Sequence, residues 1–195
     1  ALAVRGAAAS GTFSTIDTAA AGASGNGKYV GAAAVGANVY FAPYKEDNIG
    51  VLAVASSVFS TIDVTAFGVT GDNKYRSAAA VGDKVYFTPH NQDNVGVLDA
   101  ATSTFSTIGT ASAGVSGNSK YRGAAAVGTI VYFAPGNQDN IGLVNTVTSV
   151  FSTIDVAAAG VNGGLKYYGA AAVGGKVYFG PFNQDNIGVL DIATA

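Results

Sequence analysis

Apolar and polar positions alternate along this chain in short bursts. Thr104 to Ile108, Tyr121 to Val127, Ile130 to Ala134 and Asn140 to Val144 are runs rich in Val, Ile, Tyr, Phe and Thr. Gly, Asn, Asp, Ser and Pro mark each junction between them, and this combination predicts four short strands joined by turns. The Ala triplets at 32–34, 78–80, 124–126 and 170–172 favour helix by intrinsic propensity. They are too short, and too closely flanked by Gly, to nucleate one. Small side chains suit strands that converge on a crowded axis, so the triplets are assigned to strands.

The pattern repeats. Lys-Tyr falls at 28, 74, 120 and 166, Phe-Ser-Thr-Ile begins at 13, 59, 105 and 151, and a Pro opens a polar loop at 43, 89, 135 and 181, always 46 residues apart. Cutting at residue 12 gives units 12–57, 58–103, 104–149 and 150–195, with 1–11 left over as an extra partial repeat. Four strands per 46-residue unit predict an all-β chain: one β-propeller domain of four-stranded antiparallel blades over residues 12–195.

Val97-Leu98-Asp99-Ala100-Ala101-Thr102-Ser103-Thr104-Phe105 resembles the kelch pattern of a hydrophobic strand, an Asp, a turn carrying Thr and an outer-strand aromatic. The units are similar to tandem kelch-like repeat proteins of unicellular marine algae. They depart from kelch where that family has a Gly-Gly pair after the second strand and a Trp in the fourth; here stand Pro-x-Asn and Phe. The resemblance implies a propeller and no established activity.

With this phase the chain starts on an outer strand, Thr12 to Ile16, and finishes on a third strand, Ile187 to Ile192. The first strand is therefore expected to complete the last blade and hide its edge. Residues 1–11 share the phase of 185–195 and match them poorly, and both cannot fill one slot. Three arrangements stay open: a closed four-bladed ring, two chains forming a larger ring as a homodimer, or a segment of a longer array. A chain without Met that begins Ala-Leu-Ala reads as one whose original start has been removed.

Composition narrows the chemistry. Charged residues make up 11% and the formal net charge is -2, so the basic footprint of a nucleic-acid binder is missing. With no Cys, disulfides, thiolate metal sites and a Cys nucleophile are excluded. No apolar run reaches the roughly 18 residues of a membrane-spanning helix.

The loops carry the candidate chemistry. Pro-x-Asn-Gln-Asp-Asn-(Ile/Val)-Gly stands at 89, 135 and 181, with an altered copy, Pro-Tyr-Lys-Glu-Asp-Asn-Ile-Gly, at 43. One reading makes Asp47, Asn48, Asp93, Asn94, Asp139, Asn140, Asp185 and Asn186 turn residues bonding their own backbone, each Asp pairing with a Lys of its own or a neighbouring blade. The sharper reading makes them a sugar or ion loop, with Tyr29, Tyr75, Tyr121 and Tyr167 beneath a sugar. The loop is no EF-hand: from Asn137, position five is Ile141 and position twelve is Thr148. Gly22 to Lys28 spells most of a P-loop, but Tyr29 stands where a Ser or Thr must hold magnesium, and a strand follows rather than a helix. His90 is the single histidine, and the recurring Asp residues look equivalent where a glycosidase needs two different carboxylates. No catalytic residue, metal site or cofactor is assigned.

Positions that differ between units inside the fixed frame are the more informative ones. Tyr44, His90 and Phe182 follow the loop Pro, and Arg76, Arg122 and Tyr168 follow Lys-Tyr. Both sets are expected on one face, exposed, where aromatic and Arg side chains suit a protein partner. The sequence thus reads as a non-catalytic interaction or scaffold module, with a lectin-like, carbohydrate-binding propeller as the alternative.

Overall fold

The computed structural model describes residues 11–192. Residues 1–10, most of the extra N-terminal segment, lie outside the described residues. Among the described residues fifteen strands, β1 to β15, form four separate antiparallel sheets. The first holds β1 (Tyr29–Val35), β2 (Asn38–Pro43), β3 (Asn48–Ala53) and β4 (Val58–Asp63) in that order. The next two repeat it as β5 (Tyr75–Val81) to β8 (Thr104–Gly109) and β9 (Tyr121–Val127) to β12 (Val150–Asp155). The last holds β13 (Tyr167–Val173), β14 (Lys176–Pro181) and β15 (Gly188–Asp191). These are propeller blades. Each of the last three sequence units gives its first strand to the sheet before it and the other strands to its own.

Within a blade the register is fixed by turn chemistry and by the aromatic core. Val81 pairs with Lys84 across a two-residue hairpin whose first residue, Gly82, sits at φ +56°, a conformation Gly adopts without penalty. In the third strand, Gly96 faces Thr107 and lies under two rings: a Cβ there would come within 3.0 Å of Phe105 and of Tyr75. The same crowding recurs at Gly142, so the last letter of the loop motif is Gly because the blade's aromatics occupy the space.

The Ala triplets lie in the inner strands, where β1 packs on β5, β5 on β9 and β9 on β13. A Cβ on Gly123 would meet the backbone of Gly169 and Ala170 at 2.7 Å, so the inner strands approach each other closely, as the small residues require. Three cores fill the gaps between blades. Tyr40, Ala42 and Ile49 of the first blade pack with Tyr75, Val85 and Phe87 of the second, and corresponding residues do the same at the next two junctions.

Two features depart from expectation. Each fourth strand is followed by a one-turn 3-10 helix, as at Thr65–Phe67 and Ala111–Ala113. At two of them the entry is fixed by an Asp side chain accepting from the backbone two residues on, Asp63 from Thr65 and Asp155 from Ala157, both at 2.7 Å, whereas Gly109 stands at that position before Ala111. Second, Thr12 to Ile16 form no strand and do not complete the last blade, whose sheet has three strands among the described residues. The four blades make an open arc: β13 has no packing on β1 comparable to that between successive inner strands. The N-terminal segment is thereby kept from its expected slot.

Candidate functional site

The repeated polar loop is built into the blade junctions letter by letter. Lys74 donates to Asp47 of the preceding blade at 2.8 Å, Lys120 to Asp93 at 2.8 Å, and Lys166 pairs with Asp139 at 2.9 Å. Each of these Lys side chains is fully buried, while the three carboxylates are half exposed. Each ammonium also donates to a carbonyl of its own loop: Gly71, Gly117 or Gly163. Burial pulls the Lys120 ammonium below its ordinary pKa, and the Asp93 carboxylate opposes that shift. The anticipated Lys–Asp pairing is present, and it runs between blades.

The neighbouring letters are engaged as well. Asn91 accepts from the Ser119 N–H at 2.9 Å, and Asn137 from the Leu165 N–H at 3.0 Å, both across a junction. Gln92 and Gln138 each donate to a carbonyl of their own blade, Thr70 and Ser116, at 2.9 Å. Asn48, Asn94, Asn140 and Asn186 accept from the hydroxyls of Tyr29, Tyr75, Tyr121 and Tyr167. Tyr75, Tyr121 and Tyr167 are buried, which holds their phenols above the usual pKa and makes them neutral donors. No face of these three rings is open for stacking on a sugar. Asp185 and Asn186 of the last blade are exposed.

A thread of backbone hydrogen bonds follows the same path around the arc. The Lys74 N–H donates to Tyr44 O and His90 N–H to Lys74 O; Lys120 N–H then donates to His90 O, each at 3.0 Å. Gly136 N–H continues to Lys120 O, Lys166 N–H to Gly136 O and Phe182 N–H to Lys166 O. It carries the residues after the loop Pro and those after Lys-Tyr to one side of the arc.

There the variable positions come together. Tyr44 packs against His90 with ring centroids 5.7 Å apart. The Arg76 guanidinium lies 5.8 Å from the Tyr44 ring centre and 5.1 Å from that of Tyr168. The Arg122 guanidinium lies 4.1 Å from the Tyr168 ring, whose edge of the cluster is completed by Phe182, stacked on Tyr168 at 3.7 Å. Beside the cluster, Arg76, Arg122 and Tyr168 line a cavity of about 310 Å³ with Gly31, Gly123 and Ala170 of the inner strands.

Exposure within the cluster is uneven. Phe182 is 53% exposed, but His90 and Arg122 are buried at 3% and 6%. The expectation that all six stand exposed is corrected: Tyr44, Arg76 and Tyr168 are half-buried, and the two most buried side chains are covered by rings, Arg122 by Tyr168 and His90 by Tyr44. His90 Nδ1 lies 3.2 Å from Asn73 O, while His90 Nε2 and Arg122 Nε are buried without hydrogen-bond partners among the described residues. Burial, then the nearby Arg122 and Arg76 charges, push the His90 pKa down to about 4. Neither Arg forms an ion pair with a carboxylate among the described residues. Among the described residues no group of three His, Asp or Glu side chains is placed to hold a metal ion.

No family model and no curated protein sequence matches the chain. Solved structures do resemble it in shape. The computationally designed Ika4 protein superposes with a TM-score of 0.59 at 13% identity, over 87% of this chain and 94% of that one. The RRP9 WD40 repeats give a TM-score of 0.66 at 12% identity, covering 88% of this chain, which spans 51% of theirs. The nidogen/laminin complex gives 0.52 at 15% identity, over 85% of this chain and 76% of that one. These likenesses define the class of protein as a β-propeller.

Proposed function

We propose that the protein is a non-catalytic interaction scaffold, and that the Arg-aromatic cluster is where it takes hold of a protein partner. The fold serves enzymes and binding proteins alike, so the reading rests on the site. One observation carries it: Arg76 and Arg122 share the Tyr168 ring and line one cavity with no carboxylate partner in the described chain. Two cations held by an aromatic platform and left without a counter-ion favour a carboxylate-bearing segment. Tyr44 and Phe182 add the apolar contact area that such a segment needs. The turn at Asp99, whose carboxylate accepts from Ala101 and Thr102, keeps the kelch-like assignment of the blades as part of this proposal.

Titrating the full chain with a Glu-rich peptide, with its Gln counterpart as control, tests the proposal. The acidic peptide should bind, and Arg76→Ala with Arg122→Ala should weaken it by about tenfold or more. Equal binding of both peptides contradicts it. Glycan-array binding that disappears in Asp93→Asn with Asp139→Asn would instead make the protein a carbohydrate-binding propeller.

A further inference from the structure

The two ends of the arc carry the counterparts of the two sides of a blade junction. In the first three blades the third-strand residue after Asp-Asn is buried: Ile49 at 0%, Val95 at 0% and Ile141 at 5% exposed. Its counterpart in the last blade, Ile187, is 63% exposed, and Val189 beside it is 56% exposed. Asp185 occupies the place of Asp47, Asp93 and Asp139 but makes no ion pair among the described residues, and Lys28 occupies the place of Lys74, Lys120 and Lys166 but among the described residues donates its ammonium to the Gly25 carbonyl of its own loop. The backbone thread begins at Lys28 O and runs out at Phe182.

The missing outer strand has a matching segment. Phe59 packs on Tyr29 and Phe41, and Phe151 on Tyr121, each above the third-strand Gly. In the last blade Tyr167, Phe179 and Gly188 border a cavity of about 250 Å³, and no fourth-strand Phe stands among its lining. Thr12-Phe13-Ser14-Thr15-Ile16-Asp17 repeats Val150-Phe-Ser-Thr-Ile-Asp155 in all but its first residue, and Phe13 is 96% exposed. The 3-10 turn that follows a fourth strand is already folded here: Asp17 accepts from the Ala19 N–H at 2.8 Å, and Thr18 donates to Ala23 O at 3.2 Å. So residues 12–17 are poised as an outer strand and have no sheet.

We propose that a second copy of this chain joins these halves: residues 12–17 of each copy add to β15 of the other, and the pair closes into one ring of eight blades. The register follows from β11 and β12, where Ile141 faces Ile154, Leu143 faces Ser152 and Val144 faces Phe151. Ile187 then faces Ile16, Val189 faces Ser14, and Leu190 faces Phe13, whose ring enters the cavity beside Tyr167 and Phe179. Lys28 reaches Asp185 of the other copy as Lys120 reaches Asp93. Main-chain bonds to an open strand edge supply affinity, and the aromatic socket and the ion pair fix the register. A second copy is favoured over closure of one chain on itself by the shape of the arc. Its inner strands pack extensively only in sequence, β1 on β5, β5 on β9 and β9 on β13, and the four blades span about half of the larger propeller they superpose on best among those described. Both joints form at once between two copies, so the assembly is closed. The inference does not depend on the Arg-aromatic cluster.

Native mass spectrometry of the full chain should give twice the mass of one chain. Because the sequence has no Cys, a mixed-disulfide experiment locates the joint: S14C mixed with V189C should yield a covalent pair on oxidation, and either variant alone should not. Replacing the charges singly, Lys28→Glu or Asp185→Lys, should weaken the pair, and combining both changes in one chain should restore it. A monomer in the native spectrum overturns the proposal, as does a doubly substituted S14C/V189C chain that closes only on itself. A dimer whose mixed variants do not cross-link places the contact elsewhere and also overturns it.

Discussion

Lys120 of the third blade reaches back across the junction to Asp93 of the second, its Nζ 2.8 Å from Oδ1, with the lysine side chain fully buried and the carboxylate 58% exposed. The same relationship joins Lys74 to Asp47 and Lys166 to Asp139. Removing the acid leaves a buried ammonium held only by carbonyls. Asp139→Ala should therefore cost about 1 to 3 kcal/mol, read as a lowered urea midpoint with an unchanged slope.

Gly142→Ala tests the crowding under the aromatic pair. Its Cβ would sit 2.7 Å from the Tyr121 ring and 3.1 Å from that of Phe151, so the rings must shift, at about 1 to 3 kcal/mol. Gly109 has open space and an ordinary φ, and Gly109→Ala should leave the midpoint within about 0.5 kcal/mol of the starting protein.

Phe105 is 5% exposed and packs against Phe87 and Phe67. Truncating it to Ala should cost about 3 to 5 kcal/mol in the same measurement.

His90 gives the fold an acid limit. Its pKa in the folded chain is about 4, below the ordinary 6.5 of an unfolded chain, so between these values the unfolded state binds the proton that the native state refuses. The stability from keeping His90 neutral is fully present above about pH 6.5 and is lost as pH falls toward 4, up to a few kcal/mol. His90→Gln should flatten the melting temperature between pH 6.5 and 4.5, a window in which His90 is the only side chain of its type.

Leu165 holds φ +54° at the position where the first unit has Gly27 and the others Asn73 and Ser119, all with positive φ. A bulky residue there is strained, so Leu165→Gly should raise the urea midpoint by the equivalent of about 0.5 to 1 kcal/mol.

Much of the architecture was legible because it is periodic. The strands anticipated at Tyr121 to Val127 and Ile130 to Ala134 are β9 and β10 to within a residue, since turn glycines and β-branched runs act locally. Tyr44, Arg76, Arg122 and Tyr168 could be brought to one face by topology alone. Their burial could not, because Arg122 is covered by a ring 46 residues further along, a contact that only the packing of blades creates. The 3-10 turns are not legible in the sequence because Ala111-Ser-Ala113 has no helical length; what closes the turn is Gly114, at φ +71°, whose N–H donates to Ala111 O. Thr12 to Ile16 carries the sequence phase of an outer strand but forms no strand, since a sequence repeat fixes what a segment resembles and not which edge it meets.

The repeated polar loop is the framework that joins the blades. A double-mutant cycle on Lys120→Met and Asp93→Asn, followed by urea unfolding, tests it most directly. A coupling of about 1 to 3 kcal/mol between the two residues is the expected result. A coupling within about 0.3 kcal/mol of zero would contradict it, because Lys120 and Asp93 would then stabilise the junction independently of one another.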